Sequence, residues 1–301
     1  MFVSCGLETN YSRLQTPDSK LTPMVSLFHE VSHQCSRITT ARYSTSFASA
    51  IRLLHKDLRE PVYNIYGFVR FADEIVDSFH QYDKAALLQE FADATYKAIE
   101  RGISVNPILH SFQRTVNRYK IDLELVDAFL NSMRMDLGQR HYDRSGYEQY
   151  IYGSAEVVGL MCLFVFCEGD HQLYQQLKPH ARSLGAAFQK VNFLRDLKAD
   201  HEQLERMYFP SCDFRNFSAS EKAAIEQEIA QDFADAYAGI LQLPVKARFG
   251  VYVAYKYYRS LFQKIQRSRP QRILETRIRI PDYRKLFIVA KAGIRSQLNL
   301  L

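Results

Sequence analysis

Asn192, Asp196 and Asp200 recur every four residues in the stretch Gln189-Lys-Val-Asn-Phe-Leu-Arg-Asp-Leu-Lys-Ala-Asp. On a helix they stack along one face, with Gln189 one turn earlier and Arg195 at the edge. Val191, Phe193, Leu194 and Leu197 give the same helix an apolar side. Carboxylates at i and i+4 repel mildly, so the stripe calls for something that offsets the repulsion. A hard divalent cation with oxygen ligands is the natural candidate. Far upstream, Asp73-Glu-Ile-Val-Asp77 repeats the spacing, with Arg70 and Tyr66 on the preceding turns. One such pair reads as a solvated helix face. Two of them, each in a mostly apolar helix with Arg, Asn or Gln on the stripe, predict acidic walls facing across a cavity. Metal ions held between those walls would in turn hold an oxyanion such as diphosphate.

The rest of the chain fits a helical frame for such a cavity. Twenty Phe and 19 Tyr can fill a sizeable core, while only 12 Gly and 9 Pro and few alternating β-branched runs favour an all-α protein. Five scattered cysteines without a Cys-x-x-Cys point to buried thiols in a reducing compartment. No uninterrupted apolar run reaches membrane-spanning length, and no secretory signal pattern opens the chain. Residues 1–23 are polar and patternless and are expected to be a disordered extension, with 24–301 as one domain. The net charge of +6 is uneven: Lys256 to Arg295 holds twelve Lys or Arg against Glu275 and Asp282, a balance of +10, leaving −4 elsewhere. Such a section suits a polyanionic substrate or an anionic membrane surface. No helix-turn-helix, zinc-finger or RNP signature supports nucleic acid.

Periodicity predicts helices over Val25–Ile38, from Pro61 in a first turn to about Ser78, and over Lys84–Ile99, Ile108–Tyr119 and Leu123–Gly138. Further helices are expected over Glu148–Phe166, from His171 or Leu177 to His201, from Ser218 to about Leu241, and from Pro244. The hydroxyl-rich run from Thr39 to Phe47 reads most simply as helix capping, with phosphate contact by Ser44 or Ser46 as the functional alternative. Met133, Met135 and Leu137 read as core. Gly153, Ser154, Ala155 and Gly159 permit close approach by a helix or by an apolar ligand. Glu156 in that apolar run needs a partner. No Gly-x-Gly phosphate loop occurs.

Tyr66-x-x-x-Arg70-x-x-Asp73-x-x-x-Asp77, together with Asn192-x-x-Arg195-Asp196-x-x-x-Asp200 and Arg206-x-Tyr208-x-Pro210, resembles the squalene/phytoene synthase family over about residues 25–290. Tyr66 to Glu74 and Gly153 to Gly159 look most like bacterial phytoene synthases of carotenoid pathways. The resemblance implies an all-α isoprenoid-synthase bundle around a central cavity. Asp73, Asp77, Asp196 and Asp200, with Asn192, match metal-binding positions for Mg²⁺, with Mn²⁺ as a substitute. Arg70, Arg195, Arg277, Tyr258, Ser44, Ser46 and Asn192 match diphosphate contacts, and Tyr66, Tyr150 and Gln189 match residues near the reacting centre. The implied activity is head-to-head coupling of two geranylgeranyl diphosphates through a cyclopropyl diphosphate to phytoene, without NADPH. A squalene or dehydrosqualene synthase acting on farnesyl diphosphate, and a non-catalytic assembly factor, are the rivals. A cytoplasmic enzyme at the inner face of the cell membrane, touching downstream carotenoid enzymes, is the matching expectation. Two departures stand out. Glu74 replaces an Asp of the first motif, and Ala155-Glu156 stands where Ala-Gly is usual.

Overall fold

The computed structural model describes residues 23–138, 141–204, 206–210, 212 and 217–297. They form an all-α bundle: α1 (Pro23–Tyr43), α2 (Thr45–Ile51), α3 (Lys56–Ser78), α4 (Lys84–Arg101), α5 (Pro107–Tyr119), α6 (Leu123–Gly138), α7 (Arg144–Ile151), α8 (Val157–Cys167), α9 (His171–Leu204), α10 (Ala219–Ile240), α11 (Val245–Gln266), α12 (Pro270–Glu275) and α13 (Asp282–Gln297). A π-helical turn, Tyr152–Glu156, joins α7 to α8. No strand occurs among the described residues; His141 and Met207 form an isolated bridge. Apart from Pro23, the expected N-terminal extension lies outside the described residues.

Helix α3 shows how sequence pattern becomes position. Leu58, Val62, Ile65, Phe68, Ala72, Ile75 and Val76 are buried at helical spacing and seat the helix against α1, α4, α5, α6 and α8. The opposite stripe, Tyr66, Arg70, Asp73 and Asp77, is thereby turned into a central cavity. Helix α9 repeats the arrangement. Ala187, Val191, Leu194 and Leu197 are buried where α9 packs on α8 and α10, and Gln189, Asn192 and Asp196 face the same cavity. Both helices rest on α8, which sets them on two sides of one space.

Three boundaries differ from expectation, each for a local reason. α1 runs on through the hydroxyl-rich run to Tyr43, because Thr39 and Thr40 return their hydroxyls to the carbonyls of Cys35 and Ser36 at 2.9 Å and stay helical. Pro61 lies inside α3 and not in its first turn. The carbonyl its missing N–H would have bonded is that of Asp57, an exposed residue at the start of the helix, where the lost bond costs least. The expected single helix Glu148–Phe166 is broken by the π-turn. There the chain is squeezed on both sides: a Cβ on Gly153 would meet the Ala128 carbonyl at 2.5 Å, and one on Gly185 of α9 would meet the Ala155 carbonyl at 2.7 Å. Arg144–Cys167 is long and apolar enough to cross a membrane by length and composition, but 67% of its most apolar window is buried inside the bundle. It is the core around which the cavity is built.

Candidate active site

The cavity, about 560 Å³, is polar at one end and apolar through the rest. The polar end collects Arg70, Asp73 and Asp77 from α3, Asn192, Arg195 and Asp196 from α9, Arg277 after α12, and Asp136, Arg206 and Tyr208. A band of aromatic rings follows: Phe47 lies 5.7 Å from Tyr66 and 5.8 Å from Tyr258, and Phe188 stacks on Tyr258 at 3.9 Å. Beyond it lie Ile51, Leu54, Val158, Leu163, Leu184 and Ile240, with small residues Ala155, Gly159, Ala181 and Gly250 leaving the space open.

The electrostatics are those of crowded carboxylates with arginine counter-ions. Burial and the neighbouring Asp77 carboxylate push Asp73 up to about 7 against the pull of Arg70. Arg206, buried at 5% exposure, pairs with Asp77 Oδ1 at 2.9 Å and with Asp136 Oδ1 at 3.5 Å. On α9, Asp196 is gripped twice, by Arg195 Nη2 at 2.5 Å and by Arg277 Nε at 2.7 Å. Arg70 bonds Glu74 one turn on and lies 4.2 Å over the Tyr43 ring. Glu74 therefore tethers Arg70 in this chain. Burial, then the Asp73 carboxylate, pushes the Tyr66 phenol up to about 12, and burial also raises Tyr258.

The structure brings together Ser44, Tyr66, Arg70, Asp73, Asp77, Tyr150, Gln189, Asn192, Arg195, Asp196, Tyr258 and Arg277 on one cavity wall or another. Ser44 caps α2, accepting from the Phe47 N–H at 3.3 Å, and also lines the cavity, so capping and exposure to a ligand coexist. Ser46, half-buried on α2, is not among the lining residues. Asp200 belongs to α9, but its side chain lies outside the described set. Glu156, the departure from the family pattern, pairs with Arg182 at 2.5 Å and is not a lining residue, so the cavity keeps its apolar wall there.

Sequence reasoning missed Tyr43 and Asp136 and gave Arg206 and Tyr208 no role. Asp136 carried a signal: it continues the buried stripe Leu125, Phe129 and Met133 of α6, and a lone carboxylate on such a stripe demands a partner.

An all-α bundle whose deep cavity opens between two acidic helices defines the class, an isoprenoid-synthase fold. The solved structures agree on the fold. A dehydrosqualene synthase superposes with TM-score 0.75 at 19% identity, covering 91% of this chain and 98% of that one. A squalene synthase from Alicyclobacillus acidocaldarius gives TM-score 0.69 at 19% identity over 80% and 95%. Among sequences, the 15-cis-phytoene synthase of Synechococcus elongatus is 28% identical over 89% of this chain and 94% of its own length. The presqualene diphosphate synthase of Rhodopseudomonas palustris is 31% identical over 56% and 58%. The family model for squalene/phytoene synthases matches residues 40–284. The chain belongs to the squalene/phytoene synthase family.

Proposed function

We propose that the protein is a Mg²⁺-dependent head-to-head prenyltransferase that couples two geranylgeranyl diphosphates, through a cyclopropyl diphosphate, to phytoene. The observation that carries this reading is the polarity of the cavity: acids and arginines at one end, hydrocarbon-lined space beyond a ring of aromatics. A diphosphate leaves readily only when its charge is neutralised, and the allylic cation so formed must meet an alkene before water. Arg70, Arg195 and Arg277, which line the cavity, would bind the diphosphate, and Phe47, Phe188 and Tyr258 would shield the reacting carbons from solvent. Relatives named phytoene synthases over most of their length support the forty-carbon product.

The donor set fits Mg²⁺. Asn192 Oδ1 is buried without a hydrogen-bond partner, one turn before Asp196 and opposite Asp73 and Asp77. Among the described residues no three His, Cys, Asp or Glu side chains form a metal cluster. Mg²⁺ is typically held by one or two carboxylates plus substrate phosphate oxygens and waters, so paired aspartates on each wall suffice. Asp73 and Asp77 would hold metal on one side, and Asn192, Asp196 and Asp200 on the other. When bound, Mg²⁺ supplies Lewis-acid neutralisation of the leaving diphosphate.

The presqualene diphosphate synthase relative favours a second reading, a squalene-type reaction on farnesyl diphosphate. One experiment separates the two: incubation with Mg²⁺ and each diphosphate, with and without NADPH, followed by mass analysis of extracted hydrocarbons. A forty-carbon product without NADPH is expected. A thirty-carbon product assigns the second reading, and no product from either substrate overturns both in favour of a non-catalytic assembly factor. Peripheral docking on the inner face of the cell membrane is part of the same proposal, supported by exposed Tyr283 and Phe287 at the start of the basic α13. Flotation with anionic liposomes is expected to recover the protein, and failure to float removes the membrane from the reading.

A further inference from the structure

The four-residue stripe on α9 does not end at Asn192. Asp196, Asn192, Phe188, Leu184 and His180 follow one another at that spacing, and all five line the cavity. Each is half-buried and keeps some accessible surface, whereas Ala187, Val191 and Leu194 on the other side of the helix are buried. One face of a single helix thus walls the cavity from its charged mouth to its far end.

A histidine is an unexpected residue to close a hydrocarbon-lined space, and its ring is held there from α10. His180 Nδ1 lies 2.7 Å from the Asp235 carbonyl oxygen. A carbonyl only accepts, so this nitrogen carries the proton and donates. Gly239, one turn further along α10, leaves room for the ring: a Cβ there would stand 2.2 Å from His180 Cβ and 2.7 Å from Cγ. The imidazole therefore lies across the seam between α9 and α10, where Ile240 and Leu243 line the same end of the cavity. Outside it, Gln176 donates to Gln242 at 2.6 Å on the exposed surface. A single ring stands between the apolar space and this outer, polar layer.

Length turns the stripe into a measure. His180 precedes Asp196 by sixteen residues of α9, about 24 Å along a helix that rises about 1.5 Å per residue. A zigzag carbon chain gains about 1.25 Å per bond, so a chain of four isoprene units extends about 19 Å and one of three about 14 Å. A Mg²⁺ ion about 2 Å from both a carboxylate and a phosphate oxygen takes up most of the remainder. Four units therefore run from the diphosphate to His180. Three end one helical turn short, beside Leu184, and a fifth would have to pass through the ring.

We propose that α9 measures prenyl chain length and that His180, seated on Gly239, is its stop, so that the site selects a geranylgeranyl chain over the next shorter and the next longer one. This deepens the coupling reading above and rests on it for the place of the diphosphate.

The test reads binding and coupling separately, on the full-length protein with Mg²⁺. Non-ionising thiolo-diphosphates carrying farnesyl, geranylgeranyl and geranylfarnesyl chains are titrated by calorimetry. Affinity should rise about tenfold from farnesyl to geranylgeranyl and fall about tenfold at geranylfarnesyl, the scale on which an apolar pocket counts methylenes. His180→Ala should erase the fall. Ala181→Phe, which fills the same turn from the cavity side, should move the optimum to farnesyl. Gln176→Ala breaks the bond outside the ring and should leave the order of the three chains as it was. In mixed incubations of geranylgeranyl and geranylfarnesyl diphosphates, His180→Ala should raise the ratio of forty-five- to forty-carbon product about tenfold. An order unchanged in His180→Ala overturns the stop, as does an order shifted equally by Gln176→Ala, which would make the whole seam the limit. Should His180→Ala fail to fold, Ala181→Phe decides alone, and an optimum still at geranylgeranyl overturns the ruler. Equal affinity for the three chains in the unaltered protein refutes the ruler even where coupling proceeds. The expected order without any coupled hydrocarbon keeps the ruler and refutes the coupling reading instead.

Discussion

The two acidic walls share one spacing and differ in charge. On the α3 side, Asp73, Asp77 and the adjoining Asp136 face Arg206, while Arg70 is tied to Glu74 and the Tyr43 ring. Burial, then the neighbouring Asp77 carboxylate, holds Asp73 at about 7 against the pull of Arg70. On the α9 side, among the described side chains, Asp196 is held by both Arg195 and Arg277. Among the described side chains, the α3 carboxylates thus have fewer paired arginines than Asp196 does. In the function proposed above both walls would hold metal, and the α9 wall would add Arg195 and Arg277 to receive the diphosphate. A substrate diphosphate bridging them would meet metal on both sides and, on the α9 side, two arginines as well.

The largest effect expected from breaking this pairing is loss of catalysis. Asp73→Ala and Asp196→Ala should each lower turnover by about 10³-fold or more, the scale of losing a charge-stabilising group in a dry site, with the far-ultraviolet helical signal unchanged. Full activity in either variant would remove that wall from the chemistry. Next comes stability. Arg206 is buried at 5% exposure between two carboxylates, and Arg206→Ala leaves them uncompensated. A loss of about 3–5 kcal/mol is expected from urea unfolding, as for other buried pairs broken on one side. A loss under about 1 kcal/mol would show that water already neutralises the α3 wall.

How much of this contrast was legible in the sequence follows from what each feature depends on. Helix spacing is local, so α3, α9 and the stripes upon them could be read directly, as could the capping box at Ser218 and Glu221, where Ser218 accepts from the Glu221 N–H at 3.2 Å. The isoprenoid-synthase fold was legible through the motifs. Charge balance is not local. Arg206 reaches Asp77 across 129 residues of chain, and Arg277 reaches Asp196 across 81, so the spacing of either motif says nothing of its counter-ions. The π-turn was hidden for the same reason: it arises where α6 and α9 crowd Gly153 and Ala155, and helix propensity at Tyr152–Glu156 does not report that pressure.

A smaller effect sharpens the comparison through pH. In metal-free protein the raised Asp73 carboxyl binds its proton more tightly folded than unfolded, where its ordinary value is 3.8. The stability tied to it is complete below pH 4 and is lost as pH rises through about 7. Asp73→Asn, which cannot ionise, should therefore be more stable than the unaltered protein at pH 8, by on the order of 2 kcal/mol after solvent screening. The gain should shrink toward zero at pH 4. Chemical denaturation in chelator at the two pH values measures it. A gain equal at both would mean that neither the burial of Asp73 nor its crowding by Asp77 is felt, and the two walls would then differ less than their geometry implies.

The smallest effect on the fold is expected at Arg277, and it tests the α9 side by the same logic. Its side chain is 50% exposed, although it grips Asp196 at 2.7 Å. Exposed pairs contribute about 0–1 kcal/mol, so Arg277→Gln should leave the melting temperature within a few degrees. Arg206, at 5% exposure, is the contrasting case. If Arg277 serves the diphosphate, its removal should appear in substrate affinity: KM raised about tenfold, the equivalent of one charge-assisted hydrogen bond. Steady-state kinetics and a thermal melt on the same preparation read both quantities. A large drop in melting temperature with KM unchanged would make Arg277 a structural counter-ion like Arg206, and the α9 wall would lose its distinction as the side that receives the anion.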